Sequence, residues 1–186
     1  ESTRAFVRAL VDQGGVPMIL DADAIMAYAG EPEALAAPEG TELVLTPHPG
    51  EMAALLGIPI EELQAQRLAI AREFAATHGV HLILKGHRTV VATPEGRAYV
   101  NLTGKAGMAT AGVGGVLTGA VAAWAAQLLD VEAACKLAVY LHGLAGDLAE
   151  ADEGEIGMIA GDIASRLGDA VLELTARRKK STHARE

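Results

Sequence analysis

The sequence predicts an α/β fold with a largely parallel sheet, and three observations carry that expectation. Short apolar runs at residues 16–20, 42–46 and 81–84 each end in polar residues, the pattern of strands covered on both faces. Helical patterns fill the intervals between them, as the crossovers of a parallel sheet require. Aromatic residues are only 3% of the chain, so packing rests on Ala, Leu, Val, Ile and Gly, which suits helices laid against a sheet.

The elements follow in order. Phe6, Val7 and Leu10 recur at helical spacing within residues 3–13, and Gly14-Gly15 supplies a stop. Residues 16–20 form the first strand, with Pro17 at its start and the acidic pair Asp21 and Asp23 after its end. The second strand, 42–46, runs into TPHPGE at 46–51, and helices are expected over 51–56 and 60–77. The third, 81–84, closes on Lys85 and Gly86. Residues 89–92 and 97–101 read as a hairpin around Pro94-Glu95-Gly96, so the sheet turns antiparallel. After a glycine-dense loop, helices are expected over 116–129, 131–150, 156–167 and 168–178.

At 186 residues the chain fits one domain. A net charge of −9 excludes a phosphate-backbone binder, since nucleic-acid affinity is built from Lys and Arg. The basic cluster 177–180 ends a helical pattern, where cations complement the helix dipole. Cys135 stands alone, which excludes an internal disulfide and a paired-cysteine zinc site and fits a reducing cytoplasm. Residues 106–129 carry no charge, yet their many glycines make them a loop feeding a buried helix and not a membrane span.

Chemistry concentrates in a few places. GKAGMATAGVGGVLTG, 104–119, runs a glycine-dense loop into an apolar helix, where unpaired amides and the helix dipole attract an oxyanion; close helix-sheet packing is the plain alternative. It matches neither the P-loop nor the dinucleotide fingerprint. Lys85, Gly86 and Thr89 sit where a strand leaves the sheet, the usual ligand crevice of open α/β folds, though Lys85 also reads as an exposed strand-end lysine. His48 is held between Pro47 and Pro49 as a ligand contact or a turn residue, and Asp21 and Asp23 as acids, bases, metal ligands or helix caps. His142 reads as a core histidine with a satisfied nitrogen and Cys135 as a small buried hydrophobe.

Taken together, LDADAI (20–25), LTPHPGEMAALLG (45–57), LKGHRT (84–89), NLTGKAGMATAGVGGVLTG (101–119) and HGLAGDLAE (142–150) resemble the ordered motifs of the NAD(P)H-hydrate dehydratase family. The resemblance implies a ribokinase-like three-layer α/β/α fold and dehydration of hydrated NADH or NADPH with ADP or ATP and Mg2+. It places the nucleotide on Lys85, Gly86, His87, Arg88 and Thr89. It adds the loop residues Lys105, Ala106, Gly107, Met108 and Ala109, followed by Thr110, Ala111, Gly112, Val113 and Gly114. The hydrated cofactor falls to His48 and position 115, and no protein metal ligand is implied.

Two departures qualify these expectations. The family carries its general base, an aspartate, at position 115, where this chain has Gly115, so activity is expected to be lost or weak. Residues 1–186 are expected to form an N-terminally partial domain without earlier strands and a GPG segment, leaving an exposed sheet edge and poor solubility. A homo-oligomer is expected of the intact protein. The alternatives are a ribokinase-like vitamin-precursor kinase and a catalytically silent nucleotide-binding module.

Overall fold

The computed structural model describes residues 2–128 and 130–183, with the backbone alone for residues 128 and 178–183. Strands β1 (Met18–Leu20), β2 (Leu43–Leu45), β3 (His81–Leu84), β4 (Val90–Ala92) and β5 (Ala98–Val100) form one sheet in chain order. β1, β2 and β3 are parallel, while β4 and β5 continue antiparallel through the expected hairpin. Strand pleat divides the side chains into two cores. Leu43, Leu45, Leu82, Leu84, Val90 and Ala92 face one side, and Val44, Ile83 and Val91 face the other.

The first side is covered by α1 (Ser2–Gln13), α2 (Asp23–Met26), α3 (Pro49–Leu56), α4 (Ile60–Ala65) and α5 (Arg67–His78), which contribute Val11, Ile25, Met52, Leu63 and Phe74. The second is covered by α6 (Val113–Leu128) and α7 (Val131–Gly157), through Leu117, Val121, Cys135 and Val139. α8 (Ala160–His183) packs outside α7 over Leu141, Leu144, Ile163 and Ala170. The result is the predicted three-layer α/β/α arrangement with a mostly parallel sheet.

The structure corrects several boundaries. The helix expected over 60–77 is two, because Gln66 leaves the helical region at φ −125 and ends α4 while opening α5. The break expected before 156 falls at Gly154, whereas the one expected at 168 does not occur. α7 runs through to Gly157 with an interruption at Gly154 (φ 75), and α8 passes through Gly168, where a Cβ would meet open space. A lone mid-helix glycine costs only about 1 kcal/mol relative to Ala, which packing against α7 outweighs. α6 begins at Val113 and not at 116. Leu129, its expected end, lies outside the described residues, as do the side chains of Arg178, Lys179 and Lys180 in the basic cluster.

β1 is an edge strand, bonded only to β2. Phe6, Leu10 and Val16 beside it are 67%, 49% and 62% exposed, so the sheet margin and the adjoining face of α1 present apolar surface to solvent. No described helix is long and apolar enough to cross a membrane.

Candidate functional site

The carboxyl ends of β1, β2 and β3 meet beneath the start of α6. Lys85, just past β3, donates to Asp21 Oδ1 at 2.7 Å and lies 3.8 Å from Glu51 Oε2. Thr118 of α6 donates to Asp21 Oδ2 at 2.9 Å. Burial alone would raise the Asp21 carboxyl, but the hydrogen bonds from Lys85 and Thr118 and the charge of Lys85 outweigh it and hold the group below the usual range. Asp21 is therefore an ionised partner and not the side-chain cap of α2, which has none. Lys85 is no loose strand-end lysine, since its side chain is only 16% exposed.

His48 is the N-cap of α3. Its Nδ1 accepts from the Gly50 and Glu51 amides at 3.0 and 3.1 Å, and Glu51 Oε2 accepts from the His48 amide at 2.7 Å, closing a reciprocal capping box. Because two amides occupy Nδ1, the ring proton sits on Nε2, which faces Glu51 Oε1 at 3.3 Å. The ring has no free lone pair in this arrangement.

The glycine loop is held from below by α7. Asp147 accepts from the Gly104 amide and Glu150 from the Gly107 amide, each at 3.1 Å. Thr103 donates to the Tyr140 carbonyl at 2.9 Å. A Cβ at Gly143 would overlap Thr103, and one at Gly146 would overlap Met108, so the HGLAGDLAE segment is a bed cut to receive the loop. His142 donates through Nε2 to the Val113 carbonyl at 3.1 Å, tying the first turn of α6 to α7, and burial pushes its pKa down to about 4. Burial pushes the Cys135 thiol up to about 12, so it stays protonated and inert.

Between these walls lies a cleft of about 670 Å³. It is lined by His48, by all of Lys85, Gly86, His87, Arg88 and Thr89, and by Lys105, Ala106, Met108, Ala109, Thr110, Val113 and Gly114 of the loop. Gly107 is tucked under the loop against Glu150, and Ala111, Gly112 and Gly115 stand outside the lining. Asn101, Thr103 and His142 also line it, at its α7 side. The lining holds Lys85, Arg88 and Lys105 but no aspartate or glutamate. Cations and backbone amides therefore dominate its polar lining, and it offers no carboxylate base. Among the described residues no three His, Cys, Asp or Glu side chains converge on a metal site. A magnesium ion would therefore come with the phosphates it neutralises.

The family model for NAD(P)H-hydrate dehydratase matches residues 1–168. The chain belongs to the NAD(P)H-hydrate dehydratase family. It is 48% identical over 162 residues to the bifunctional NAD(P)H-hydrate repair enzyme of Moorella thermoacetica, covering 87% of this chain and 30% of that protein. It is 43% identical over 158 residues to the ADP-dependent (S)-NAD(P)H-hydrate dehydratase of Neisseria meningitidis, covering 83% and 53% respectively. The ADP/ATP-dependent NAD(P)H-hydrate dehydratase of Bacillus subtilis, co-crystallized with ATP/Mg2+, superposes with a TM-score of 0.77 at 34% identity, over 84% of this chain and 55% of that one. A ribokinase-like superfamily protein from Enterococcus faecalis superposes at 0.74 with 30% identity, over 89% and 56%. The family fold is thus ribokinase-like, and this chain spans about half the length of the shorter dehydratase relatives.

Motif reading missed Arg67, Glu51, Thr118, Asp147 and Glu150 as residues that build this dehydratase-family site. Glu51 lay in view inside TPHPGE. Gly143, Asp147 and Glu150 recur at helical spacing, a signal that one face of α7 meets something close.

Proposed function

We propose that this chain is the nucleotide-binding half of an NAD(P)H-hydrate dehydratase whose chemistry is silenced at position 115. The observation that carries the proposal is the cleft itself: a glycine loop and three cations face it, and no carboxylate does. In this reading ADP or ATP lays its phosphates against residues 85–89 and the amides that open α6, with magnesium bound through the phosphates. The hydrated nicotinamide lies toward His48 and position 115. Phosphoryl transfer to its ring hydroxyl converts a poor leaving group into a good one, and loss of phosphate together with a proton from the neighbouring ring carbon restores the double bond of the reduced ring. The hydroxyl proton needs an acceptor in that step. His48 has no free lone pair, and Gly115 has no side chain.

The Neisseria and Bacillus relatives named above carry dehydratase names, which favours this reaction over that of a vitamin-precursor kinase. A cytoplasmic setting, which holds nicotinamide cofactors and keeps a lone thiol such as Cys135 reduced, suits it. The test compares the chain with its Gly115→Asp variant for ADP and ATP binding by calorimetry, and for recovery of reduced-nicotinamide absorbance from NADH hydrate. A Cβ at Gly115 meets nothing within 4 Å, and an acidic residue in the first turn of α6 favours the helix, so the variant folds. Expected are nucleotide binding by both and a rate gain of about a hundred- to ten-thousandfold in the variant. Failure of either protein to bind ADP or ATP would refute the proposal.

A further inference from the structure

Arg67 opens α5, and among the described residues its partners are carbonyls alone. Its terminal nitrogens donate to His87 O at 3.0 Å and to Leu84 O and Lys85 O at 3.1 Å, and its Nε is buried without a partner. A trans peptide carries its C=O and N–H on opposite edges, and the chain has no cis bond among the described residues. Holding the Lys85 and His87 carbonyls toward α5 therefore turns the Gly86 and Arg88 amides away from it. The Thr89 hydroxyl donates to Gly86 O at 3.0 Å and fixes the peptide that carries the His87 amide. Among the described residues nothing accepts from these three amides, and residues 85–89 all line the cleft.

The backbone of the turn fits that purpose. Gly86 lies at φ 122 and Arg88 at φ 55, and successive amides around a left-handed residue form a concavity of N–H groups suited to an anion. A non-glycine residue in the left-handed region is unfavourable and persists only where its surroundings fix it. The break at Gln66 supplies the fixing, because it ends α4 and starts a new helix with Arg67 directed at the turn.

We propose that Arg67 is a positioning residue that aims the Gly86, His87 and Arg88 amides at the phosphates of the bound nucleotide. The proposal rests on the nucleotide-binding reading above. Lysine at this position keeps the charge but cannot span three carbonyls, and glutamine removes the charge as well. The experiment measures Kd for ADP and, by competition, for adenosine, in the wild-type chain and in Arg67→Lys and Arg67→Gln.

Expected is a roughly tenfold weaker Kd for ADP in both variants, the scale of one lost phosphate anchor, with adenosine changed less than about twofold. A merely structural role would weaken ADP and adenosine alike, and that result overturns the proposal, as does unchanged ADP affinity. If Arg67→Gln fails to fold, Arg67→Lys alone decides. If the wild-type chain binds neither ADP nor ATP, the functional reading falls and this inference falls with it. Wild-type binding with no ADP-selective loss sinks only the role of Arg67.

Discussion

The two backbone segments that face the cleft are held in opposite ways. The turn at 85–89 is gripped by a cation, Arg67, which takes its carbonyls and leaves its amides outward. The loop at 104–112 is gripped by two carboxylates, Asp147 and Glu150, which take the amides of Gly104 and Gly107. The sign of the anchor thus decides which backbone group remains for a ligand. A cationic anchor yields an anion cradle, whereas an anionic anchor fixes the loop's shape and leaves its later residues, with Gly114 at the start of α6, to meet the ligand.

Four changes break or sharpen this contrast. Lys85→Met strikes the turn side hardest, because it leaves Asp21 and Glu51 without their shared cation. We expect stability to fall by about 3 kcal/mol in urea unfolding, and ADP affinity to fall with it. His142 ties α6 to α7, and its pKa is depressed from 6.5 to about 4. The folded state therefore binds fewer protons than the unfolded chain between those values. Its contribution is complete above about pH 6.5 and fades as pH falls toward 4, a loss on the order of 3 kcal/mol. Urea unfolding of wild type should show this slope, and His142→Gln should flatten it.

On the loop side, Gly143→Ala drives a methyl group into Thr103 and should lower stability by about 2 kcal/mol while displacing the loop. Thermal unfolding and nucleotide titration read both effects. Asp147→Ala leaves the Gly104 amide without its partner and should reduce stability by about 1 kcal/mol. If Asp147→Ala impairs ADP binding more than Arg67→Lys does, the division of labour between the two segments is reversed and the contrast fails.

Much of the fold was legible because strand-forming runs are short, continuous and bounded, so β1, β2, β3 and the hairpin fell where the pattern put them. Helix ends were less legible. Gln66 is no recognised breaker, yet α4 stops there and the next residue reaches the turn after β3. Gly168 looks like a boundary, but its surroundings are open and the helix continues. Within the site, the family resemblance pointed to glycines and cations that do line the cleft. The groups that hold them stayed hidden, because a carboxylate bonded to a backbone amide 43 residues away, as Asp147 is to Gly104, leaves no trace in local sequence.

In the proposed reading, Gly115 differs from an ordinary inactivating substitution in what it leaves intact. It sits in the first turn of α6, and a side chain there would meet no neighbour within 4 Å. The defect is a subtraction and not an obstruction, so a free carboxylate small enough to enter the gap, such as formate, becomes a diffusible substitute. Added formate should raise turnover in proportion to its concentration, and the helix dipole at that turn should help to hold it.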